Sequence, residues 1–128
     1  MNASLTIGHT LFHGNVNALG ALDSCGISTG NIVSQGNDLI DAVDPQCGLD
    51  RQSPSNDIVA QNDANLGPVS DNGGFVPTMA LLQNSIAVDA GDNAKCADTD
   101  ARGYPRPANG DNSSVSMCDI GAFERQQH

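Results

Sequence analysis

The sequence predicts an all-β fold, a solenoid of stacked coils, on three observations. Apolar residues come in short bursts rich in β-branched types. Asn, Asp, Gly or Ser separates nearly every pair of bursts, as turns separate short strands. One string also returns in altered form: NIVSQGND, Asn31 to Asp38, is followed 26 residues later by DIVAQNDA, Asp57 to Ala64.

In chain order the bursts are Leu5 to Ile7, Leu11 to Phe12, Ile32 to Val33, Leu39 to Ile40, Ile58 to Val59, Leu81 to Leu82 and Ile86 to Val88. Together they are the signature of many short strands joined by turns. Ile7 precedes Ile32 by 25 residues, which extends the echo upstream. A coil of this length cannot bury its apolar strip alone and needs neighbours above and below it. No window sustains an i, i+3, i+4, i+7 stripe, so no long helix is expected. Thr78 to Leu82 fits either a short helical turn or a strand.

With 128 residues the chain is long enough for one domain. Coils are expected over residues 1–65, and a closing segment with a cap over 66–128. Asp, Asn and Gly supply 41 of the 128 residues, several turn formers for every coil. The formal net charge of -10 excludes a nucleic-acid partner, whose phosphates call for a basic face. It also leaves no polybasic segment for anionic lipid. No run approaches the roughly 20 apolar residues of a membrane span.

The four cysteines, Cys25, Cys47, Cys96 and Cys118, form two pairs with the same spacing of 22. An even count without Cys-x-x-Cys suggests a disulfide framework and an oxidising compartment. Of the three connectivities possible, Cys25 with Cys47 and Cys96 with Cys118 is the expected one. Each bridge should contribute about 3 kcal/mol by loop-closure entropy. The opening MNASLTIGHT lacks the basic and apolar regions of a secretory signal peptide. The chain is therefore expected to be a fragment or mature form of a secreted protein.

Several strings resemble the C-terminal region of secreted bacterial right-handed parallel β-helix proteins, the choice-of-anchor Q domain family. They are LTIGHTLFHGN (Leu5 to Asn15), GNIVSQGNDLI (Gly30 to Ile40), LGPVSDNGG (Leu66 to Gly74), TDARGYPRP (Thr99 to Pro107) and CDIGAFE (Cys118 to Glu124). The resemblance covers nearly the whole chain. It implies a right-handed parallel β-helix fragment with a disulfide-stapled, loop-rich C-terminal cap. It also implies an extracellular or cell-surface location, with further coils upstream; the family carries a surface-anchoring tail after this region.

Asn72, Gly73 and Gly74 mark a turn, since Asn72-Gly73 accepts positive φ at both residues. Asp89, Asp92, Asp98 and Asp100, with Asn93, form the one acidic cluster that suits a hard cation, so calcium is the candidate cofactor. Against it, Arg102 and Arg106 lie close in sequence, and an ion pair of Asp100 with either would pin the closing loop. Glycoside hydrolysis would need two carboxylates across a groove. Glu124 is the only glutamate and Lys95 the only lysine, so no catalytic residue is assigned.

The expected function is a non-catalytic structural module that terminates a secreted or surface solenoid, for display, adhesion or assembly. Its partners would be missing upstream coils, a second copy of the chain, or a cell-surface or glycan partner. The alternatives are a self-assembling subunit and a polysaccharide-degrading lyase or glycoside hydrolase.

Overall fold

The computed structural model describes residues 3–26, 30–40, 47, 49, 56–60, 64–111 and 113–127, and among these residues it has seven short strands. They are β1 (Ser4–Ile7), β2 (Leu11–Phe12), β3 (Asn31–Ser34), β4 (Leu39–Ile40), β5 (Ile58–Val59), β6 (Leu66–Ser70) and β7 (Thr78–Leu81). The chain divides into two compact units, Met1–Asp63 and Ala64–His128.

In the first unit the strands pair in parallel. β1 pairs β3, with Leu5 opposite Ile32 and Ile7 opposite Ser34. β2, β4 and β5 form a second sheet, in which Leu11 faces Leu39 and Leu39 faces Ile58. A residue with positive φ precedes each of these two-residue strands: His9 at 55°, Asn37 at 58° and Asn56 at 53°. Asn tolerates that left-handed conformation better than most side chains, so the chain can turn sharply there.

One residue separates each such turn from its strand, namely Thr10, Asp38 or Asp57. Thr10 N–H donates to Asp38 Oδ1 at 2.8 Å, and Asp38 N–H donates to Asp57 Oδ1 at 3.0 Å. A carboxylate on one level thus caps the backbone of the level before it. Behind this row Ile40, Cys25, Cys47 and Leu49 form a buried cluster, with Ile7, Phe12, Ile32 and Val59 packed against it. Burying one such Leu or Ile side chain contributes about 1.5–3 kcal/mol.

The pairing corrects the register of the sequence echo. Ile58 does not stand beside Ile32, as the match of DIVA to NIVS implies, but beside Leu39. The unit that recurs in space is Asn-Asp followed by two apolar residues: Asn37 to Ile40, then Asn56 to Val59.

In the second unit β6 and β7 pair antiparallel, with Leu66 opposite Leu81 and Ser70 opposite Thr78. The register shifts between Leu66 and Val69, where Pro68 has no N–H to give to a ladder. Thr78 to Leu82, open between helix and strand in the sequence, supplies β7. Ile86 to Val88 forms turns and no strand, with Val88 N–H bonded to Ser85 O at 3.2 Å. Buried Ala87 offers its carbonyl to Ile120 N–H at 2.9 Å, so tertiary contact overrides β-propensity there. Beyond β7 only isolated bridges appear among the described residues, Thr99 with Pro105 and Ala108 with Met117.

The expected right-handed parallel β-helix is therefore corrected to a small all-strand fold of several short sheets. Two sheets are parallel and one is antiparallel, and none runs on as a solenoid through the described residues. The physical cause lies in the second unit. Its backbone N–H groups go to side-chain carboxylates and turn carbonyls, which leaves few for a strand ladder.

Each unit holds one disulfide. Cys25 is bonded to Cys47, with Cα atoms 5.1 Å apart, and Cys96 to Cys118, with Cα atoms 6.5 Å apart. Two such bridges suit an oxidising environment. No helix among the described residues is long and apolar enough to cross a membrane.

Candidate functional site

The second unit buries a cluster of charge. Asp100, Asp119 and Glu124 are all buried, with Arg102 and Arg106 among them. A buried carboxylate is costly unless donors surround it, so each one reveals what the local chain is built around.

Asp100 organises the loop that follows it. Its Oδ1 accepts the N–H groups of Arg102 at 2.8 Å and Tyr104 at 3.0 Å. Its Oδ2 accepts Arg102 Nε at 2.9 Å, Arg102 Nη2 at 2.7 Å and Glu124 N–H at 2.9 Å. Burial alone would raise the pKa of Asp100. The bonds from Glu124 N–H, the Arg102 guanidinium and the Arg102 and Tyr104 N–H groups outweigh it and hold the carboxyl below its ordinary value.

The Arg102 guanidinium lies 3.5 Å from the centre of the Phe123 ring and 4.5 Å from that of Tyr104. This placement adds cation–π attraction to the ion pair. Gly74 makes room for the loop. A Cβ there would stand 2.6 Å from Arg102 Cα, and its φ of +86° suits glycine alone.

Glu124 does for the closing segment what Asp100 does for the loop. Its Oε2 accepts Arg106 Nε and Asp119 N–H, both at 2.9 Å, and its Oε1 accepts Ala108 N–H at 2.7 Å. Arg106 also donates to the carbonyls of Gly121 and Asp119. Of the two cations expected to pair with Asp100, only Arg102 does so. Arg106 is held by Glu124, because residues 119–124 fold back around its guanidinium.

Asp119 accepts Asp89 N–H at 2.7 Å and Arg125 N–H at 2.6 Å. Burial pushes its pKa from 3.8 up to about 6, the two N–H donors pull it back, and the charges of Glu124 and Asp89 add to the rise. Asp89 is also raised, first by burial, against N–H groups from Gly110 and Met117 and with Asp111 adding to the rise.

The acids of the candidate calcium cluster make separate contacts. Among the described residues no group of three or more His, Cys, Asp or Glu side chains stands as metal ligands. Asp89 is turned to Gly110 and Met117, and Asp100 to Arg102. Asp92 accepts Ala94 N–H at 2.9 Å and sits 3.8 Å from Lys95, a solvated pair of little weight. Asp98 uses its backbone carbonyl to accept Arg106 N–H at 2.9 Å. Asn93 clamps the neighbouring segment, donating to Ser116 O and accepting Cys118 N–H.

The expected turn is shifted by one residue. Positive φ falls on Gly73 and Gly74 and not on Asn72. The Asn72 side chain instead reaches across to Thr78, donating to its carbonyl at 2.8 Å.

Sequence reasoning missed Asp119 and the role of Glu124. A signal was present: both lie in CDIGAFE among apolar neighbours, where a carboxylate must be buried. It also missed Asp38 and Asp57, which the misplaced register of the echo concealed.

No family model, curated protein or solved structure matches the chain.

Proposed function

We propose that the chain is a non-catalytic structural module of an extracellular or cell-surface protein, used for display, adhesion or assembly. One observation carries this reading. The conspicuous acids of the second unit face inward and are saturated by the chain's own donors, five to Asp100 and three to Glu124. Carboxylates held in this way stiffen a cap and offer nothing to a substrate. Two disulfides support an oxidising address. The test is incubation with pectin-like and alginate-like polymers, with and without Ca²⁺. The reading expects no product; turnover abolished by Asp100→Asn would overturn it.

The sheet edges favour a second reading, self-assembly. Among the described residues β1 and β2 each pair on one side only, and Leu5 of β1 is 59% exposed. An open parallel edge is a template for a strand of a second copy. Sedimentation at micromolar concentration decides between them: dimers or larger species are expected for assembly, and a monodisperse monomer removes it.

A further inference from the structure

A pocket of about 240 Å³ opens on the second unit. Ala80 and Leu81 supply apolar residues, Tyr104 and Phe123 aromatic ones, and Arg102 and Arg125 are the two cationic residues that line it. The two cations differ in kind. Arg102 is neutralised by Asp100. Among the described residues Arg125 is held only by carbonyls, its Nη1 donating to Gly110 O at 2.9 Å and to Gln83 O at 3.3 Å.

Among the described residues no carboxylate pairs with the Arg125 guanidinium, and its Nε and Nη2 donate to none of them. In a chain of net charge -10 such a cation stands out. Its planar fork suits a carboxylate. The pocket is smaller than the range of roughly 300–1,000 Å³ usual for drug-sized ligands, so it suits a single ring. The chain's overall acidity disfavours a polyanion, which leaves an isolated carboxylate.

We infer that this pocket binds a small carboxylate with an apolar body, of the aromatic-acid class, through the Arg125 guanidinium with the body against Tyr104, Leu81 and Ala80. The inference stands apart from the structural role proposed above, since none of the buried carboxylates lines the pocket.

The experiment is an NMR titration of the full chain, read at the Tyr104 and Phe123 amides and the Arg125 Nε–H. The probes are benzoate, benzamide as its neutral isostere, and inorganic phosphate as an anion without an apolar body. Benzoate is expected to give saturable shifts at millimolar concentration. Benzamide and phosphate should each bind at least about tenfold more weakly, as fits loss of one charge-assisted bond or of the ring contact. Arg125→Gln should weaken benzoate by a similar factor. Because Arg125 also ties down two carbonyls, Ala80→Leu provides a second variant, which fills the pocket and leaves both guanidiniums in place. It too should weaken benzoate at least about tenfold. Absence of saturable shifts, equal binding of benzamide or phosphate, or unchanged affinity in Ala80→Leu overturns the inference.

Discussion

Arg106 donates through Nε to Glu124 Oε2 at 2.9 Å, with side chains only 6% and 0% exposed. The two residues come from separate strings, TDARGYPRP and CDIGAFE, and their pairing brings the strings together. Glu124 adds bonds from Ala108 and Asp119 N–H groups, and Arg106 adds the carbonyls of Gly121 and Asp119. Breaking a buried pair by removing one partner costs about 3–5 kcal/mol, because the other charge is left without compensation.

Asp119 makes the second unit sensitive to pH. Its folded pKa is raised from 3.8 to about 6, so the proton is held more tightly in the folded state. The stability this contributes is fully present below about pH 4 and is lost as pH rises through about 6. Linkage puts its size at up to about 3 kcal/mol. Asp100, held below its ordinary value, acts in the opposite sense, and its contribution is lost as pH falls below the ordinary carboxylate range. Unfolding midpoints measured from pH 4 to 7 should fall in the wild type and fall less steeply in Asp119→Asn, where Asp38 and Asp89, also raised, remain. Tyr104, the only Tyr in a chain without Trp, reports the second unit by fluorescence.

The first unit depends on Asp38. Its side chain accepts Thr10 N–H and lies 2.9 Å from Ser34 Oγ. Asp38→Ala leaves that amide without its acceptor, at a cost of about 1–3 kcal/mol. Asp38→Asn keeps an oxygen for Thr10 and gains a donor for Ser34, so it should be tolerated far better. Burial already raises the Asp38 pKa, with Asp57 adding to the rise, so loss of the charge is no handicap. Hydrogen exchange at the Thr10 amide is the measurement: fast in Asp38→Ala, protected in Asp38→Asn.

Two glycines separate strain from space. Gly74 and Gly103 both have φ of +86°, but only at Gly74 would a Cβ meet backbone within 3 Å. Gly103→Ala should therefore lose only about 1–2 kcal/mol, the left-handed cost of a Cβ. Gly74→Ala should lose more, because Arg102 must move and its bonds to Asp100 move with it. Urea unfolding of the two variants side by side checks the order.

Much of the strand content was legible in the sequence. The first five apolar bursts became β1 to β5, because Asn and Gly at the turns left short β-branched runs between them. β6 was hidden by Gly67 and Pro68, which read as turn residues but occupy a bulged edge. Ile86 to Val88 misled in the other direction, its β-propensity overruled by the bond from Ile120 N–H to Ala87 O. The parallel levels were expected, yet the solenoid was not found. Periodicity sees repeated strands, and it does not see where carboxylates take the place of a ladder. Asp100 and Arg102 were legible as partners because they lie two residues apart. Arg106 and Glu124 are separated by 18 positions, and only the fold reveals their bond.

The central claim, that the buried acids of the second unit hold the fold, is tested most directly by a double-mutant cycle on Arg106 and Glu124. Urea unfolding followed by Tyr104 fluorescence would compare wild type, Arg106→Met, Glu124→Gln and the double variant. Each single change should cost about 3–5 kcal/mol. The double variant should cost less than their sum, by a coupling of about 2–3 kcal/mol. Coupling within about 0.5 kcal/mol of zero, the additivity expected of independent sites, would contradict the account.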